Sequence, residues 1–380
     1  MGTKENMPPA GSCSAEPAPG SPRGLTAIIL AAGKSTRMKT DLPKVMHDLC
    51  GQPMLSYVLS ACRAAGIDTF HLVVGFGKDR LVRAYGDEPG LQFVEQREQK
   101  GTGHAVSMCT EALRAFDGDV VVIAGDMPMV RPETLRTLVH SHRAAGAAAS
   151  LATTVLDDPA GYGRILRDAA GRFDRIVEDR DCTPEQKAIR EVNPSYYCFD
   201  ARSLFAAIPK LKPDNAKGEF YITDVLEILR AEGRPVRAAT SVPAEDAVGI
   251  NSRADLAAVA KVMQRRIQAH WMEAGVTIVD PGTTWIDVLA RIGPESVIKP
   301  FSYIEGNARV GRRCVVGPYA CLRRGAVIED DASVGPGVFD ALDSGSPARS
   351  AGAAAKPKRP TSVVRHPPAQ GDPVRGGRSC

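Results

Sequence analysis

Ile292, Ile298, Ile304, Val310, Val316, Leu322, Ile328 and Val334 stand six residues apart. Four places after each of the first seven comes a small residue: Ser296, Ser302, Ala308, Cys314, Ala320, Ala326 and Ala332. A chance alternation of strands does not hold one register through eight repeats, and this double register marks a hexapeptide β-helix. One aliphatic side chain inside each flat turn builds the column of the core, and the small residues fit the tight corners. Gly293, Gly311, Gly317 and Gly335 suit those turns. Eight hexapeptides make fewer than three triangular coils, so we expect an uncovered end that an oligomer or a capping segment must shield. Arg253 to Ala274 reads as a helical connector into this region, with Leu256, Val259, Ala260, Met263 and Ile267 on one face.

Upstream the pattern is different. Between Gly24 and about Ala260, short apolar runs alternate with helical patterns, the arrangement of a mostly parallel sheet covered by helices. Thr26 to Leu30 reads as a buried strand, as do Phe70 to Gly75, Gln92 to Gln96 and the run Asp119 to Asp126. Pro53 to Gly66 reads as a helix with Pro53 at its first position and Gly66 at its C-terminal cap. The first strand empties into Leu30-Ala31-Ala32-Gly33, where small residues let a ligand approach the backbone. Lys34, Arg37, Lys39 and Lys44 follow, the charge that phosphates need. Gly33-Lys34-Ser35-Thr36 imitates the end of a nucleoside-triphosphatase P-loop, but Ile28 occupies the position of that motif's first glycine. No Gly-x-Gly-x-x-Gly opens a helix either, which excludes the dinucleotide fingerprint.

Composition narrows the class. The 380 residues are 43% hydrophobic and 24% charged, as in soluble globular proteins, and are enough for two domains. A net charge of +4, part of it from arginines and lysines beyond Pro336, gives no reason to expect nucleic acid. Nine cysteines without a Cys-x-x-Cys pair suggest reduced thiols and a cytoplasmic protein, and no zinc site is expected. The Pro-, Gly- and Ser-rich stretch from Met1 to Arg23 lacks the apolar core of a signal peptide. Nowhere do eighteen apolar residues run together, so no membrane partner is expected.

Asp126 lies at the carboxyl end of a strand, where open α/β sheets collect ligands. A hard carboxylate beside polyphosphate is how proteins recruit Mg2+. The same aspartate could instead cap a helix. Gly101-Thr102-Gly103-His104 opens a helix with room for a planar base, and Gln96 and Gln99 carry paired donors and acceptors that could read a pyrimidine edge.

Together these segments resemble the sugar-1-phosphate nucleotidyltransferases, and among them the N-acetylglucosamine-1-phosphate uridyltransferase family. The resemblance rests on Leu30 to Met38, Asp41 to His47, Gly101 to Ala105, Gly125-Asp126-Met127-Pro128, Gly161 to Ile165, Ile176 to Asp179, Glu191-Val192-Asn193, Gly218 to Asp224 and Val248 to Asn251. It covers roughly residues 25 to 335 and implies an α/β, Rossmann-like nucleotidyltransferase domain, a helical connector and a short left-handed parallel β-helix. On that basis residues 1–23 are expected to be a disordered extension, 24–252 the catalytic domain, 253–274 the linker, 275–337 the β-helix and 338–380 a disordered basic tail.

The activity implied is transfer of uridylyl from UTP to N-acetylglucosamine 1-phosphate, releasing pyrophosphate. Leu30, Ala31, Ala32 and Gly33 would follow the nucleotide with their backbone, Gln96, Gly101 and Thr102 would read uracil, and Arg37 and Lys44 would hold phosphates as the catalytic cations. Asp126 and Asn251 match the family's Mg2+ ligands. Gly125, Gly163, Glu178, Asn193 and Asn251 match its substrate contacts, and the β-helix implies a homotrimer. No covalent nucleophile is needed, because alignment, a metal ion and cationic side chains suffice for attack of one phosphate on another. Among the seven histidines, His47 and His104 are therefore read as structural.

Each sugar-side residue also has an ordinary reading: Glu178 as a surface charge paired with Arg175 or Arg180, Asn193 as a turn before Pro194, Gly163 as a hairpin glycine. Two departures from the family stand out. Ser35 replaces a frequent second glycine, adding a hydroxyl that could contact phosphate, and Pro194-Ser195-Tyr196 replaces a small Thr-Gly pair. Members of this family also acetylate glucosamine 1-phosphate on later β-helix coils. Gly317 to Gly325 resembles the entry to that second site, with Arg323 at its first arginine, but the hexapeptide pattern stops at Gly335, so no acetyltransferase activity is expected. A natural short form and a disrupted reading frame both fit the tail. A nucleotidyltransferase for another sugar 1-phosphate and a non-catalytic scaffold remain as alternatives, the latter disfavoured by the presence of Arg37, Lys44, Asp126 and Asn251.

Overall fold

The structure is a computed structural model that describes residues 23–34 and 36–337. The expectations for the extension before Arg23, for the Ser35 hydroxyl and for the tail from residue 338 lie outside the described residues.

The chain begins with β1 (Gly24–Ala31), a small hairpin of β2 (Asp48–Leu49) and β3 (Gln52–Pro53), and helix α1 (Met54–Ala64). Then come β4 (Phe70–Val74), α2 (Lys78–Tyr85), β5 (Leu91–Glu95), α3 (Thr102–Ser107), β6 (Gly118–Ala124), α4 (Pro132–Ala144) and β7 (Ala149–Val155). The second half adds the hairpin of β8 (Gly163–Arg167) and β9 (Phe173–Val177), α5 (Pro184–Lys187), β10 (Glu191–Asp200), α6 (Ala201–Ala207), α7 (Thr223–Ala231) and β11 (Val236–Thr240).

These strands form one sheet in the order β11-β7-β10-β6-β1-β4-β5, with β8 and β9 extending from β10. The β1–β4, β4–β5, β1–β6 and β7–β11 pairs are parallel, but β10 runs antiparallel between β6 and β7. The sheet is therefore mixed rather than simply parallel. The central strands read as continuous aliphatic runs because both faces are covered, and Ala27, Ile28, Ile29 and Val120 to Ile123 are fully buried. Pro53 precedes α1 as its N-cap, one place earlier than expected, and Gly66 follows it at a φ of +87°.

From β1 the chain winds outward through β4 to β5, then returns to place β6 on the other side of β1. The order of the sheet reverses between β1 and β6, the point where open α/β sheets bind ligands at their strands' carboxyl ends.

Helix α8 (Arg253–Glu273) then leads into ten two-residue strands, from Thr277–Ile278 to Ser333–Val334. They stack as three parallel ladders, one on each face of a triangular β-helix. Ile292, Ile298, Ile304, Val310, Val316, Leu322, Ile328 and Val334 are all buried in one core with Ile278 and Ile286. Those last two stand ahead of the expected column: the solenoid begins two faces before Ile292, at Thr277–Ile278, and makes three full coils among the described residues. The first step of its ladder, Thr277 to Val297, is two residues longer than the next, Val297 to Val315. The extra residues sit in a corner where Asp280 accepts from Gly282 N and Thr283 Oγ1 at 3.0 and 2.8 Å, and they break the six-residue spacing between Ile278 and Ile286, while Ile286 stays six places from Ile292.

The two regions touch through two elements. One face of α8, with Val259, Met263, Ile267 and Trp271, packs into the β-helix core, and Gln264 exchanges two hydrogen bonds with the backbone of Ile286. The β2–β3 hairpin docks beside it. Val288 N donates to Cys50 O at 3.0 Å, and a Cβ on Gly51, whose φ is +93°, would lie 2.6 Å from the Asp287 carboxyl carbon. Glycine is required there by conformation and by space.

Candidate functional site

β1 and β6 run side by side with Leu30 opposite Ala124, so the loops that leave their carboxyl ends start as neighbours. Gly125 N donates to Leu30 O at 2.9 Å, and the first of the two loops passes so close that a Cβ on Gly125 would meet Val45 at 3.1 Å. This places Asp126 against the cation-bearing loop. A third segment arrives when Ile250 N donates to Asp126 O at 3.2 Å, delivering Asn251.

Four of the expected site residues meet at this junction. Lys44 Nζ forms an ion pair with Asp126 Oδ2 and donates to Asn251 Oδ1 at 2.9 Å; Arg37 donates to the same oxygen at 2.8 Å. Lys44 and Asp126 are mostly but not wholly shielded, at 16% and 18% side-chain exposure, which leaves them within reach of a ligand. One hard carboxylate and one amide oxygen converge on a cation. That donor set suits Mg2+, which takes oxygen ligands and keeps waters or substrate phosphates in its other positions, and here the Lys44 ammonium stands against both oxygens.

The base-side residues also come together, closed on themselves. Gln96 is 3% exposed, and its side-chain amide donates to Gly101 O at 3.2 Å and lies 2.9 Å from His104 Nδ1. His104 thus holds Gln96. Gln99 donates to Ala32 O at 2.9 Å, tying the Gly101 turn to the backbone beside Gly33. Gly101 has a φ of +106°, and a Cβ there would strike Phe220 O at 2.5 Å; Thr102 Oγ1 accepts from Ile222 N at 3.0 Å. The Gly218–Asp224 segment is therefore packed against the turn that carries Gly101 and Thr102. Buried His47 has its pKa lowered by desolvation and by Arg253.

Gly163, Glu178 and Asn193 form a second group. Gly163 and Asn193 are paired across β8 and β10, and a Cβ on Gly163 would lie 3.5 Å from Glu178 Oε1 and only 2.8 Å from Ile176. Burial pushes the Glu178 carboxyl up against the pull of Lys217, and the side chain is only partly exposed. Asn193, 5% exposed, donates to Tyr197 OH at 2.6 Å and accepts from Ser195 N at 3.0 Å. The turn reading of Asn193 is thus realised, with its other arm held inward by Tyr197. Asp224 faces the same region, and burial, with Glu227 and Asp181 nearby, raises its pKa to about 6.

Sequence reasoning missed the residues that hold these groups. Tyr162 OH donates to Ala247 O at 3.2 Å, stitching the Gly163 strand to the segment that carries Asn251. Buried Arg164 reaches Asp179 at 3.0 Å beside Glu178. Asp255 accepts from Asn251 N and Ser252 N at 2.9 and 2.8 Å and receives a reciprocal cap from Ser252. Ser252 three places before Asp255 was a legible capping signal; the tyrosine and arginine stood inside the Gly161 to Ile165 segment with no role assigned to them. A cavity of about 590 Å3 between Arg23, Thr69 and Arg143 lies at the amino ends of the strands, away from this chemistry, and its arginines are already paired with carboxylates or carbonyls.

Residues 27–226 match the MobA-like NTP transferase domain, and residues 290–324 match the bacterial transferase hexapeptide repeats. Bifunctional protein GlmU from Pelotomaculum thermopropionicum is 46% identical over 279 residues, 73% of this chain and 60% of that protein. Its counterpart from Geobacillus sp. is 43% identical over 310 residues, 82% and 63% respectively. The chain thus spans about three fifths of the length of these relatives. A solved UDP-glucose pyrophosphorylase in complex with UDP-glucose superposes with a TM-score of 0.54 at 18% identity, over 65% of this chain and 100% of that one, a likeness of fold.

Proposed function

The chain belongs to the MobA-like NTP transferase family, and on that premise we propose that it transfers uridylyl from UTP to N-acetylglucosamine 1-phosphate, releasing pyrophosphate and forming UDP-N-acetylglucosamine. The observation that carries the proposal is the convergence of Arg37, Lys44, Asp126 and Asn251 at the switch point of the sheet. The names of the GlmU relatives support the choice of reaction, and Gly163, Glu178 and Asn193 support a sugar subsite beside it.

In this reaction an oxygen of the sugar phosphate attacks the α-phosphorus of UTP. A new P–O bond forms as the bond to the β-phosphate breaks. Two anions must be held together while charge builds on pyrophosphate. Arg37 would exchange Asn251 for the leaving phosphates. Lys44, released from Asp126 and Asn251, would bridge toward the attacking phosphate. Mg2+ held by Asp126 and Asn251 would supply the further positive charge that these phosphates require. Neither Arg37 nor Lys44 would have to shed a proton in these roles, so no proton shuttle is needed. Leu30 to Gly33, Gln96, Gly101 and Thr102 would line the nucleotide, the Gln99–Ala32 bond setting the spacing between the two loops.

We further propose that acetyl transfer is absent from this chain, because the positions that would continue the hexapeptide register are Asp340 and Ser346. The β-helix would serve as the trimer interface, and residues 24–252, 253–274 and 275–337 would be catalytic, linking and assembly segments. A second reading, transfer to a different sugar 1-phosphate, draws support from Ser195, which holds a φ of +68° beside Asn193 where the family has a small pair.

Pyrophosphate release measured with Mg2+ over a panel of nucleotides and sugar 1-phosphates tests the proposal. UTP with N-acetylglucosamine 1-phosphate should be the preferred pair. A preference for another sugar would favour the second reading, and no turnover with any pair would leave the scaffold alternative.

A further inference from the structure

The start of α8 and the residues just before it meet the cation-bearing turn at two points. Arg37, in the 3-10 turn Thr36–Met38, donates to Asn251 Oδ1 at 2.8 Å. In return Arg253 Nε donates to Met38 O at 3.1 Å. Each segment therefore contributes one guanidinium and one acceptor to the other, across more than two hundred residues of chain.

The two bonds differ in what substrate would do to them. Asn251 Oδ1 already accepts from both Arg37 and Lys44, and nucleotide phosphates compete for both cations. When Arg37 turns to phosphate, the first point opens. The second joins Arg253 to the backbone carbonyl of the fully buried Met38, and neither Arg37 nor Lys44 takes part in it. Arg253 itself springs from a fixed base: Asp255 caps Asn251 and Ser252, and further along α8 Val259, Met263 and Ile267 are buried in the β-helix core. Lys39, directly after the turn, holds a φ of +50°, a conformation that an unbraced loop has little reason to keep.

We infer that Arg253 is a positioning residue for nucleotidyl transfer: it braces the Arg37 turn against α8 while Arg37 exchanges Asn251 for the leaving phosphates. This rests on the reading of the site as a nucleotidyltransferase. The catalytic role stays with Arg37; Arg253 touches no substrate and acts through the backbone of Met38.

The test is Arg253→Met in the full chain, with Arg253→Lys as the conservative partner. Amide exchange of residues 36–39 should accelerate several-fold with the thermal midpoint held within about 2 °C. In the reverse reaction, UDP-sugar with pyrophosphate, the KM for pyrophosphate should rise about tenfold, that for the UDP-sugar should change less than about twofold, and Arg253→Lys should recover part of the loss. Added to Arg37→Met, the same substitution should cost less than a further twofold or so, because both act on one interaction.

Unchanged exchange at residues 36–39, an equal rise in both KM values, or losses that multiply in the double variant would each overturn the inference. If the unsubstituted protein turns over no nucleotide and sugar-phosphate pair at all, the functional reading fails instead, and the exchange measurement still decides whether the brace exists.

Discussion

In the β-helix the neighbour of a residue on the next coil is eighteen places further along the chain, as Arg313 is to Asp331. In the α/β domain the four side chains that meet at the candidate site come from positions 37, 44, 126 and 251. The first region is built from near-identical local steps, so every side chain's place follows from its phase in the repeat. The second brings distant loops together at one reversal in strand order. Structure in the solenoid is thus spread evenly, and chemistry in the sheet is concentrated at a point. The difference teaches that a regular region holds and an irregular one reacts.

The sharpest way to break this contrast is to remove chemistry without touching the frame. Asp126→Ala should lower kcat for pyrophosphate release by about 10³-fold or more, with little change in the thermal midpoint. A variant that retained activity would overturn the proposed metal-ligand role of Asp126.

The converse is Ile304→Ala, which deletes a fully buried member of the solenoid column. It should cost about 3 kcal/mol in a urea titration followed by circular dichroism, and the fraction still folded should turn over normally. A parallel fall in kcat would show that the α8 and Gly51 contacts transmit coil packing into the site.

Smaller effects distinguish the sugar side. Asp224 titrates near pH 6 because it is buried near Glu227 and Asp181, above its usual 3.8, so the native state binds this proton more tightly than the unfolded chain. Its contribution to stability is greatest below about pH 4 and is lost as pH rises through about 6. Asp224→Asn should therefore raise stability above pH 6 by about 1 kcal/mol, allowing for solvent screening of a partly exposed group, and leave it unchanged near pH 4. Thermal melts at the two pH values measure it.

Ser195→Gly should give the least change, a gain of about 0.5 kcal/mol. It relieves a φ of +68° while adding the backbone freedom of glycine to the unfolded chain. A loss instead would mean that the Ser195 hydroxyl is needed in the pocket beside Asn193.

What could be read from the amino acids follows the same division. The column from Ile292 to Val334 was legible because each residue's burial depends only on its phase, and all eight are buried. Ile278 escaped notice for the same reason, because the Asp280 corner shifts its phase by two; Ile286 stands in phase, six places before Ile292, and was legible in principle. In the sheet, β1 and β6 were visible as aliphatic runs, but β10 is interrupted by Asn193, Pro194 and Ser195, and its antiparallel direction has no local mark. At the site, Arg37, Lys44, Asp126 and Asn251 could be named one by one, yet their shared oxygen depends on how three loops fold together. Tyr162 and Arg164 stood inside the Gly161 to Ile165 segment of the resemblance, but nothing in the sequence says which residues lie across from them.

The corner at Asp280 has a practical consequence. It accommodates two additional residues, and Thr277 still pairs with Val297 and Trp285 with Tyr303, so the inward phase of the following strands is untouched. Within a strand, a single inserted residue would turn the column inside out. The solenoid therefore behaves like a text with fixed words and elastic punctuation. A peptide grafted between Pro281 and Gly282 would be displayed at a vertex of the triangle, clear of nucleotide chemistry, on a scaffold that keeps its own count.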